Sequence, residues 1–276
     1  MGVKRSGRRF AAVVIASVAL GCAAPSRHLT NRQVEDPIVH PRGLASVAAS
    51  GTYTSASIAR DATALDLVVR YGITDRLELR NLSLGYAFLD DAPSPDGRKR
   101  DPLALMLRAG VEGFGWSSID GAILIPTLVL AARKHLGTRL YLWGDLGWTA
   151  WWASSPGQRP YPYNAWLWPG GNSSRVVASA GGLVQLVDRV ALSLGGHADQ
   201  LRACVFPSCD VTSRALMGFA GVWFRPLRWM DVSVFGTLGH RQRVAPPVVP
   251  APADPADVPP DTVTWQAVSL TLAFRW

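Results

Sequence analysis

The sequence predicts an all-β fold: a closed, antiparallel, up-and-down transmembrane β-barrel of about twelve strands, with ten strands as the alternative. Apolar residues alternate with small or polar residues over stretches longer than the 5 or 6 residues typical of soluble strands. Hydrophobic residues make up 48% of the chain and charged residues only 17%, against about 25% charged in soluble domains. No apolar run after residue 22 approaches the roughly 20 residues that a membrane-spanning helix needs.

The first 22 residues have the features of a signal peptide. Basic residues are followed by an apolar run from Phe10 to Leu20 and then by small residues. The sequence "ALGC" resembles the lipobox of bacterial lipoproteins, and this resemblance implies that Cys22 is lipidated. Ordinary cleavage after Ala23 or Ala24 is the alternative. Residues 23–42 are polar and aperiodic, which predicts a flexible tether before a barrel domain at 43–276.

Alternation of period two and turn signals place the strands in order. The stretch 76–89 changes its apolar face near Arg80 and Asn81, so it is interpreted as two short strands or one bulged strand. Two short strands bring the total to the even number that single-chain bacterial barrels have. The other predicted strands are 44–57, 64–71, 103–116, 122–133, 139–152, 174–187, 190–199, 214–225, 230–241 and 263–276.

The connections between these strands alternate between short and long. Tight turns are predicted at 72–75, 134–138, 187–189 and 225–229, and long polar loops at 153–173, 200–213 and 242–262. Short turns at one end and longer loops at the other are typical of barrels in the outer membrane.

The C-terminal stretch "VTWQAVSLTLAFRW" resembles the sorting signal of bacterial outer-membrane β-barrels. Apolar residues alternate up to Phe274 and Trp276, and the last residue is aromatic. The stretch "RYGITDRLEL" is similar to the periplasmic hairpins of such barrels. The resemblance implies a bacterial outer-membrane location, outer-membrane lipid around the barrel, and recognition of Phe274 and Trp276 by the barrel-assembly machinery.

Aromatic residues cluster near the predicted strand ends, where two interfacial belts of a membrane barrel are expected. A soluble β-sandwich or lipocalin-like barrel, with tryptophans in its core, is the alternative. The group near the short turns is Tyr71, Trp223, Phe224, Trp229, Phe274 and Trp276. The group near the long loops is Trp116, Trp148, Trp151, Trp152 and Trp265.

Charged residues on the polar face of the strands are expected to line the lumen and to pair across it. Both signs occur on this face, and such pairing would plug a barrel of this size rather than open it. The predicted lumen charges are Arg108, Glu112, Asp145, His197, Asp231 and Arg275.

Two cysteines remain after Cys22. Cys204 and Cys209 are separated by four residues in a polar stretch, and in an exported chain such a pair predicts a disulfide. No His/Cys cluster predicts a metal, and no glycine-rich phosphate loop predicts a nucleotide, so neither a metal nor a cofactor is expected.

The net charge of +8 does not predict nucleic-acid binding, because basic residues concentrate at the N-terminus and at 98–100. The sequence therefore favours a structural or small-molecule passage role, with small solutes as partners, over an enzymatic one. One alternative is an outer-membrane lipid hydrolase with His197 near its site. Another is a soluble periplasmic β-barrel lipoprotein that binds an apolar ligand.

Overall fold

Twelve antiparallel strands form a closed barrel in the computed structural model, which describes residues 29–57, 59–89, 103–116, 122–151, 173–205, 208–244 and 262–276. The strands are β1 (Ala45–Ala56), β2 (Ala59–Gly72), β3 (Leu77–Arg80), β4 (Leu82–Leu89), β5 (Leu103–Trp116), β6 (Ala122–His135), β7 (Leu140–Trp151), β8 (Ser173–Val187), β9 (Val190–Val205), β10 (Ser208–Leu227), β11 (Met230–Arg243) and β12 (Thr262–Arg275).

Each strand pairs with its neighbours in the sequence, and β1 pairs with β12 to close the ring. The seam runs from Ser46 opposite Arg275 to Ala56 opposite Trp265. Closure leaves no open sheet edge, as a sheet in hydrocarbon requires, because no water is there to satisfy unpaired backbone groups. The predicted fold class and the strand number of twelve are confirmed.

Tight turns at 73–76, 136–139, 188–189 and 228–229 define one end of the barrel, here called the short-turn end. At the opposite end, here called the far end, the prediction of a long loop at 200–213 is wrong. β9 continues to Val205 and β10 begins at Ser208, so most of this stretch is a paired hairpin. Strand pairing that continues beyond the lipid requires no apolar face, so the alternation fades although the strands do not end.

The outward-facing side chains are mostly apolar and exposed. Leu194, Leu216 and Leu238 retain 68%, 68% and 69% of their accessible surface. Side chains alternate between the two faces of a strand, so the residues on either side of each outward leucine point into the barrel. An apolar surface of this extent is unfavourable in water and favourable in lipid.

The break at Arg80 and Asn81 is resolved as two short strands. Asn81 adopts φ 51°, and its N–H donates to the Val69 carbonyl at 2.8 Å. Its Oδ1 accepts the Val69 N–H at 2.9 Å. Asparagine tolerates this left-handed backbone better than most residues do, and here it also joins the β3–β4 hairpin to β2.

Residues 29–42 do not form the flexible tether that the sequence predicted. They lie inside the short-turn end of the barrel, where Val34 and Val39 are each 1% exposed. Residues 33–35 form a short 3-10 turn. Within the described residues, no helix has both the length and the apolar character needed to cross a membrane.

Candidate functional site

The lumen has three layers: an N-terminal segment at the short-turn end, an aromatic wall in the middle, and a basic cluster towards the far end. The segment at residues 29–44 is here called the plug. Apolar contacts hold it at two points. Val39 packs with Ala87, Met106 and Ala131, and Val34 packs with Leu183 and Ala191.

Gln185 of β8 fixes the start of the plug. Its buried Oε1 accepts a hydrogen bond from the Val34 N–H at 3.1 Å, and its Nε2 donates to Gln33 Oε1 at 2.9 Å. A buried amide with partners on both sides fixes position, since any displacement would leave polar groups unsatisfied.

An alternating ring of four charges links the plug to three strands. Arg225 Nε donates to Asp231 Oδ1 at 2.6 Å, and Arg275 Nη2 lies 2.9 Å from Asp231 Oδ2. Both arginines also bind Asp36 of the plug, Arg275 at 2.8 Å from Oδ1. Burial would raise the pKa of Asp36, but the guanidinium groups of Arg275 and Arg225 outweigh burial and hold it well below its usual value.

Glu78 provides the second polar anchor of the plug. Its buried carboxylate accepts the His40 N–H at 2.9 Å and a hydrogen bond from Arg70 Nη2 at 2.7 Å. The His40 ring is buried, and its Nε2 lies 2.8 Å from Ser46 Oγ. Burial lowers the pKa of His40 well below its ordinary value, and the Arg70 charge lowers it further.

The plug leaves the lumen against Gly72. The Gly43 N–H donates to the Gly72 carbonyl at 2.8 Å, and the Gly72 N–H donates to the Leu44 carbonyl at 2.9 Å. A Cβ at position 72 would lie 1.9 Å from the Pro41 carbonyl oxygen, so this close approach requires glycine.

The middle of the lumen has an aromatic wall. Trp143 of β7 stacks on Phe219 of β10 with 5.9 Å between ring centroids, and Phe219 meets Phe235 of β11 edge-on at 6.2 Å. Trp223 meets Phe235 at 5.5 Å. The ring of Trp265 lies over Gly239, where an added Cβ would be 2.2 Å from the ring.

The seam of β1 and β12 bears small hydroxyl residues. Ser50 Oγ lies 2.8 Å from Thr271 Oγ1, and Thr52 Oγ1 lies 2.9 Å from Ser269 Oγ. The middle of the lumen thus bears aromatic rings on β7, β10 and β11 and hydroxyl groups along the neighbouring seam.

A basic cluster lies above the aromatic wall. Arg241 Nη2 donates to both oxygens of Asp199, at 3.0 and 3.1 Å, and Arg175 also binds Asp199. Arg241 Nη1 donates to Ser213 Oγ at 2.8 Å. His197 lies beside them, with its Nε2 3.2 Å from Arg175 Nη2.

Exposure of the inward side chains divides the lumen into sealed and open regions. At the short-turn end Glu78, Arg225 and Ser233 are almost fully buried. In the middle, the rings of the aromatic wall and the hydroxyl residues of the β1–β12 seam are only half-buried, although they point inward. The plug therefore fills one end, while side-chain surface above it stays accessible.

The structure places five predicted lumen charges on inner-face positions: Arg108, Asp145, His197, Asp231 and Arg275. Asp231 and Arg275 meet directly. The side chain of Glu112 lies outside the described set. His197 contacts Ser179 Oγ, 3.0 Å from its Nδ1, as well as Arg175.

The remaining predicted site residues are placed only in part. Cys204 and Cys209 are directly opposed in the β9–β10 register, and their disulfide stays a prediction. Cys22 lies outside the described residues. Phe274 stacks on Trp229 at 6.2 Å, and Trp276 exchanges backbone hydrogen bonds with Ala45. Recognition by the assembly machinery stays a prediction.

Two aromatics assigned to the interfacial belts face the lumen instead, namely Trp223 and Trp265. Their inner-face parity is readable from the sequence, whereas a position near a strand end does not distinguish the lumen from the lipid. Trp148, Phe224 and Trp229 do face outward and are exposed.

Sequence reasoning missed the residues that make the plug and the basic cluster. Arg225 lies in a predicted turn, and Asp199 lies next to a predicted loop. Asp36 lies in the predicted tether. Parity along the longer strands could have found Asp199 and Arg241. Nothing in the local pattern around Asp36 indicates that it meets β10 and β12.

A closed twelve-stranded barrel with an apolar exterior and a polar, plugged interior defines the class: this is a β-barrel of the bacterial outer membrane. Solved structures of that class are similar in fold. An outer membrane channel from Pseudomonas putida matches with TM-score 0.51 and 12% identity, over 92% of this chain and 100% of that one.

Two further solved structures align less closely. OmpT of Vibrio cholerae matches with TM-score 0.40 and 8% identity, over 84% of this chain and 97% of that one. The outer membrane channel DcaP of Acinetobacter baumannii matches with TM-score 0.39 and 8% identity, over 86% of this chain and 99% of that one. No protein-family model matches the sequence, and comparison with curated proteins gives no match.

Proposed function

We propose that this protein is a small-solute channel of the outer membrane whose short-turn end is closed by its own N-terminal plug. The observation that carries the proposal is the contrast in exposure along the inner face. Glu78, Gln185 and Arg225 beside the plug are buried, whereas the inward rings of the aromatic wall in the middle of the lumen are only half-buried.

The way the plug is held supports a movable closure. Apart from two small apolar clusters, polar contacts hold it: Gln185, the ring of four charges, and Glu78. When the plug leaves and water takes its place, the polar groups that it contacted become hydrated, so the net cost of each lost contact is small. Polar contacts therefore suit a part that moves without unfolding the barrel. The similar fold of the Pseudomonas putida channel is compatible with this role.

The experiment compares single-channel conductance of the purified protein with that of a variant in which residues 30–41 are a Gly/Ser segment of equal length. We expect rare or small openings for the wild type and a larger, stable conductance for the variant. A heat-modifiable gel shift verifies that both barrels are folded. Two folded proteins that both remain silent in many insertions would refute the channel.

One contact supports the alternative of a lipid hydrolase, but the orientation of the residues involved argues against it. Ser179 Oγ and His197 Nδ1 are within hydrogen-bond distance, at 3.0 Å, and Asp199 Oδ2 is 3.6 Å from the other ring nitrogen. However, these side chains face the lumen, whereas membrane lipid contacts the outer surface. The separate alternative of a soluble lipoprotein conflicts with the exposed apolar exterior.

A further inference from the structure

The basic cluster carries one more positive charge than its own carboxylate neutralises. Arg175 and Arg241 both bind Asp199, whose side chain is 1% exposed. Two guanidinium groups on one carboxylate leave a net charge of about +1 in a partly desolvated place, where an anion is more strongly attracted than in water. The Nε groups of both arginines have no hydrogen-bond partner among the described residues.

The neighbouring polar groups can also face an anion. His197 lies between Ser179 Oγ, 3.0 Å from Nδ1, and Arg175 Nη2, 3.2 Å from Nε2. The Arg175 side chain is 27% exposed and that of His197 is 16% exposed, whereas Arg241 is 3% exposed. Arg241 is therefore the buried arginine of the cluster, and Arg175 is the arginine that a solute in the lumen can reach.

The balance of charge along the whole lumen has the same sign. Among the described strand residues, arginines at inner-face positions clearly outnumber acids. The arginines are Arg70, Arg80, Arg108, Arg133, Arg175, Arg225, Arg241, Arg243 and Arg275, and the acids are Glu78, Asp145, Asp199 and Asp231. Asp66 and Glu112, whose side chains are outside the described set, would not reverse this balance.

The aromatic wall begins directly below the cluster. His197 is one inner-face position above Gly195, which lies opposite Phe219, so about 7 Å of strand separates the two levels. On β11, Gly239 is one inner-face position below Arg241, and the ring of Trp265 covers it. Both rings are half-buried, so part of each remains accessible from the lumen.

A planar ring bearing a carboxylate has the chemistry that these two features attract. A carboxylate is the anion that guanidinium groups bind with two parallel hydrogen bonds, and aromatic rings attract one another at centroid distances of about 4.5–7 Å. Asp199 shows that Arg241 and Arg175 can share one carboxylate, and Arg241 reaches both of its oxygens through Nη2 alone.

We propose that the lumen holds a binding site for a small aromatic carboxylate, whose carboxylate pairs with Arg175 beside Arg241 while its ring packs against Phe219 and Trp265. This inference deepens the proposed channel function, because it names the class of solute. Asp199 keeps the arginines in place, and the ligand brings the cluster to neutrality. The ring then lies on the wall that leads towards the plug.

The test measures binding to the purified full-length protein in detergent by titration calorimetry, with 4-nitrobenzoate, neutral 4-nitrobenzyl alcohol and acetate as probes. We expect saturable binding of 4-nitrobenzoate, about tenfold tighter than that of the alcohol, which is the factor that one charge-assisted contact contributes. Acetate should bind more weakly than 4-nitrobenzoate, because it has no ring.

Variants assign the two halves of the site. Arg175→Gln should weaken 4-nitrobenzoate about tenfold while leaving the alcohol unchanged, and Arg175→Lys should recover part of the loss. Trp265→Leu should weaken 4-nitrobenzoate but not acetate. The matched control is Arg214→Gln, since Arg214 is exposed on the outer face of β10, and it should change nothing. The heat-modifiable shift verifies folding of each variant.

Several results would overturn the site. Equal affinity for the acid and the alcohol, or no effect of Arg175→Gln in a folded barrel, would remove the anion pairing. Acetate binding as tightly as 4-nitrobenzoate would leave a plain anion site and refute the aromatic part. Binding in detergent needs no transport, so a silent protein that binds 4-nitrobenzoate refutes only the channel, and a conducting protein that does not bind it refutes only the site.

Discussion

At the scale of single residues, Asp36 is the charge on which docking of the plug most depends. It is shared by Arg225, which is 1% exposed, and by Arg275, and Asp231 completes the ring. Burial of two arginines is tolerated only because two carboxylates face them. A neutral residue at position 36 leaves the arginines with one carboxylate.

We therefore predict that Asp36→Asn weakens plug docking by about 2 kcal/mol, the size of a hydrogen bond to a charged group, or about thirtyfold in the docking equilibrium. The measurement is hydrogen–deuterium exchange of the backbone at 30–41, which should quicken by that factor. The control is Glu35→Gln, a more exposed plug carboxylate that pairs with Arg32 over one turn, and its exchange should change little. Equal protection in both variants would contradict the prediction.

Asn81 is the residue that lets β3 end after four residues. Its left-handed backbone and its side-chain hydrogen bond with Val69 contribute separately to stability, and two substitutions distinguish the two contributions. Asn81→Gly keeps the backbone conformation and should cost about 1 kcal/mol for the lost side-chain bond. Asn81→Ala should cost about 1–2 kcal/mol more, because a Cβ is strained at positive φ. Urea unfolding from lipid vesicles measures both, and an alanine variant as stable as the glycine variant would disprove the backbone argument.

At the scale of elements, the plug combines apolar points of contact with titratable ones. Val34 and Val39 contribute the apolar contacts, while Asp36 and His40 contribute the polar ones. The charged groups around His40 are Arg70, Arg80 and Glu78 from β2 and β3, Arg275 from β12, and Asp36 from the plug itself. Burial has the largest effect on the pKa of His40, and Arg70 has the largest effect among the charged groups.

This environment predicts that plug docking weakens in mild acid. His40 has its pKa lowered when docked, chiefly by burial, so an undocked His40 takes up a proton near its ordinary pKa of 6.5 while the docked residue stays neutral. Docking is thus at full strength above about pH 6.5 and is lost progressively as the pH falls below it. Asp36 adds a second loss only below its ordinary value of 3.8.

Exchange at 30–41, corrected for the intrinsic rate, should therefore rise between pH 7 and pH 5 in the wild type. His40→Gln keeps a polar partner for Ser46 without a titrating ring, and it should abolish this rise. His240→Gln, at an exposed position on the outer face of β11, should leave the rise unchanged. A pH dependence that persists in His40→Gln would assign the acid response to another group.

At the scale of the whole molecule, the apolar exterior and the closed ring of strands both follow from folding in hydrocarbon. Hydrocarbon satisfies no backbone group, so every strand needs two partners, and β1 supplies the second partner of β12. The same solvent favours exposed leucines that water would not. The interior then has to be polar or filled, and this barrel has both a polar lumen and a plug.

A lysine on the exterior distinguishes lipid from water as the surrounding solvent. Leu238→Lys, at 69% exposure on β11, should destabilise the barrel in lipid vesicles by about 2–4 kcal/mol if the position lies near the bilayer midplane. Leu136→Lys is the control, since Leu136 is also exposed but lies in a turn at the short-turn end. Equal stability of the two variants in vesicles would argue against a lipid-facing position for Leu238.

Prediction from the sequence succeeded where the pattern depends on local alternation. Strands β5 to β8, β11 and β12 were predicted within a few residues, because one face of each strand must contact lipid and the other must line the lumen. The prediction was wrong for β9 and β10 beyond Asp199, where paired strands continue without an apolar face. The prediction of a tether was wrong at 29–42, where Val34 and Val39 are buried. A short polar segment with scattered valines has no periodic pattern from which burial could be predicted.

The sequence by itself determined the solvent and the strand period, since an alternation of two is set by the geometry of each strand alone, and it favoured twelve strands over ten. The tertiary structure alone decided which charges meet. Asp36 reaches Arg275 across 239 positions of sequence, and Arg241 reaches Asp199 across 42. Those pairings depend on barrel closure and on the path of the plug, and both are fixed by contacts between residues that are distant in the chain.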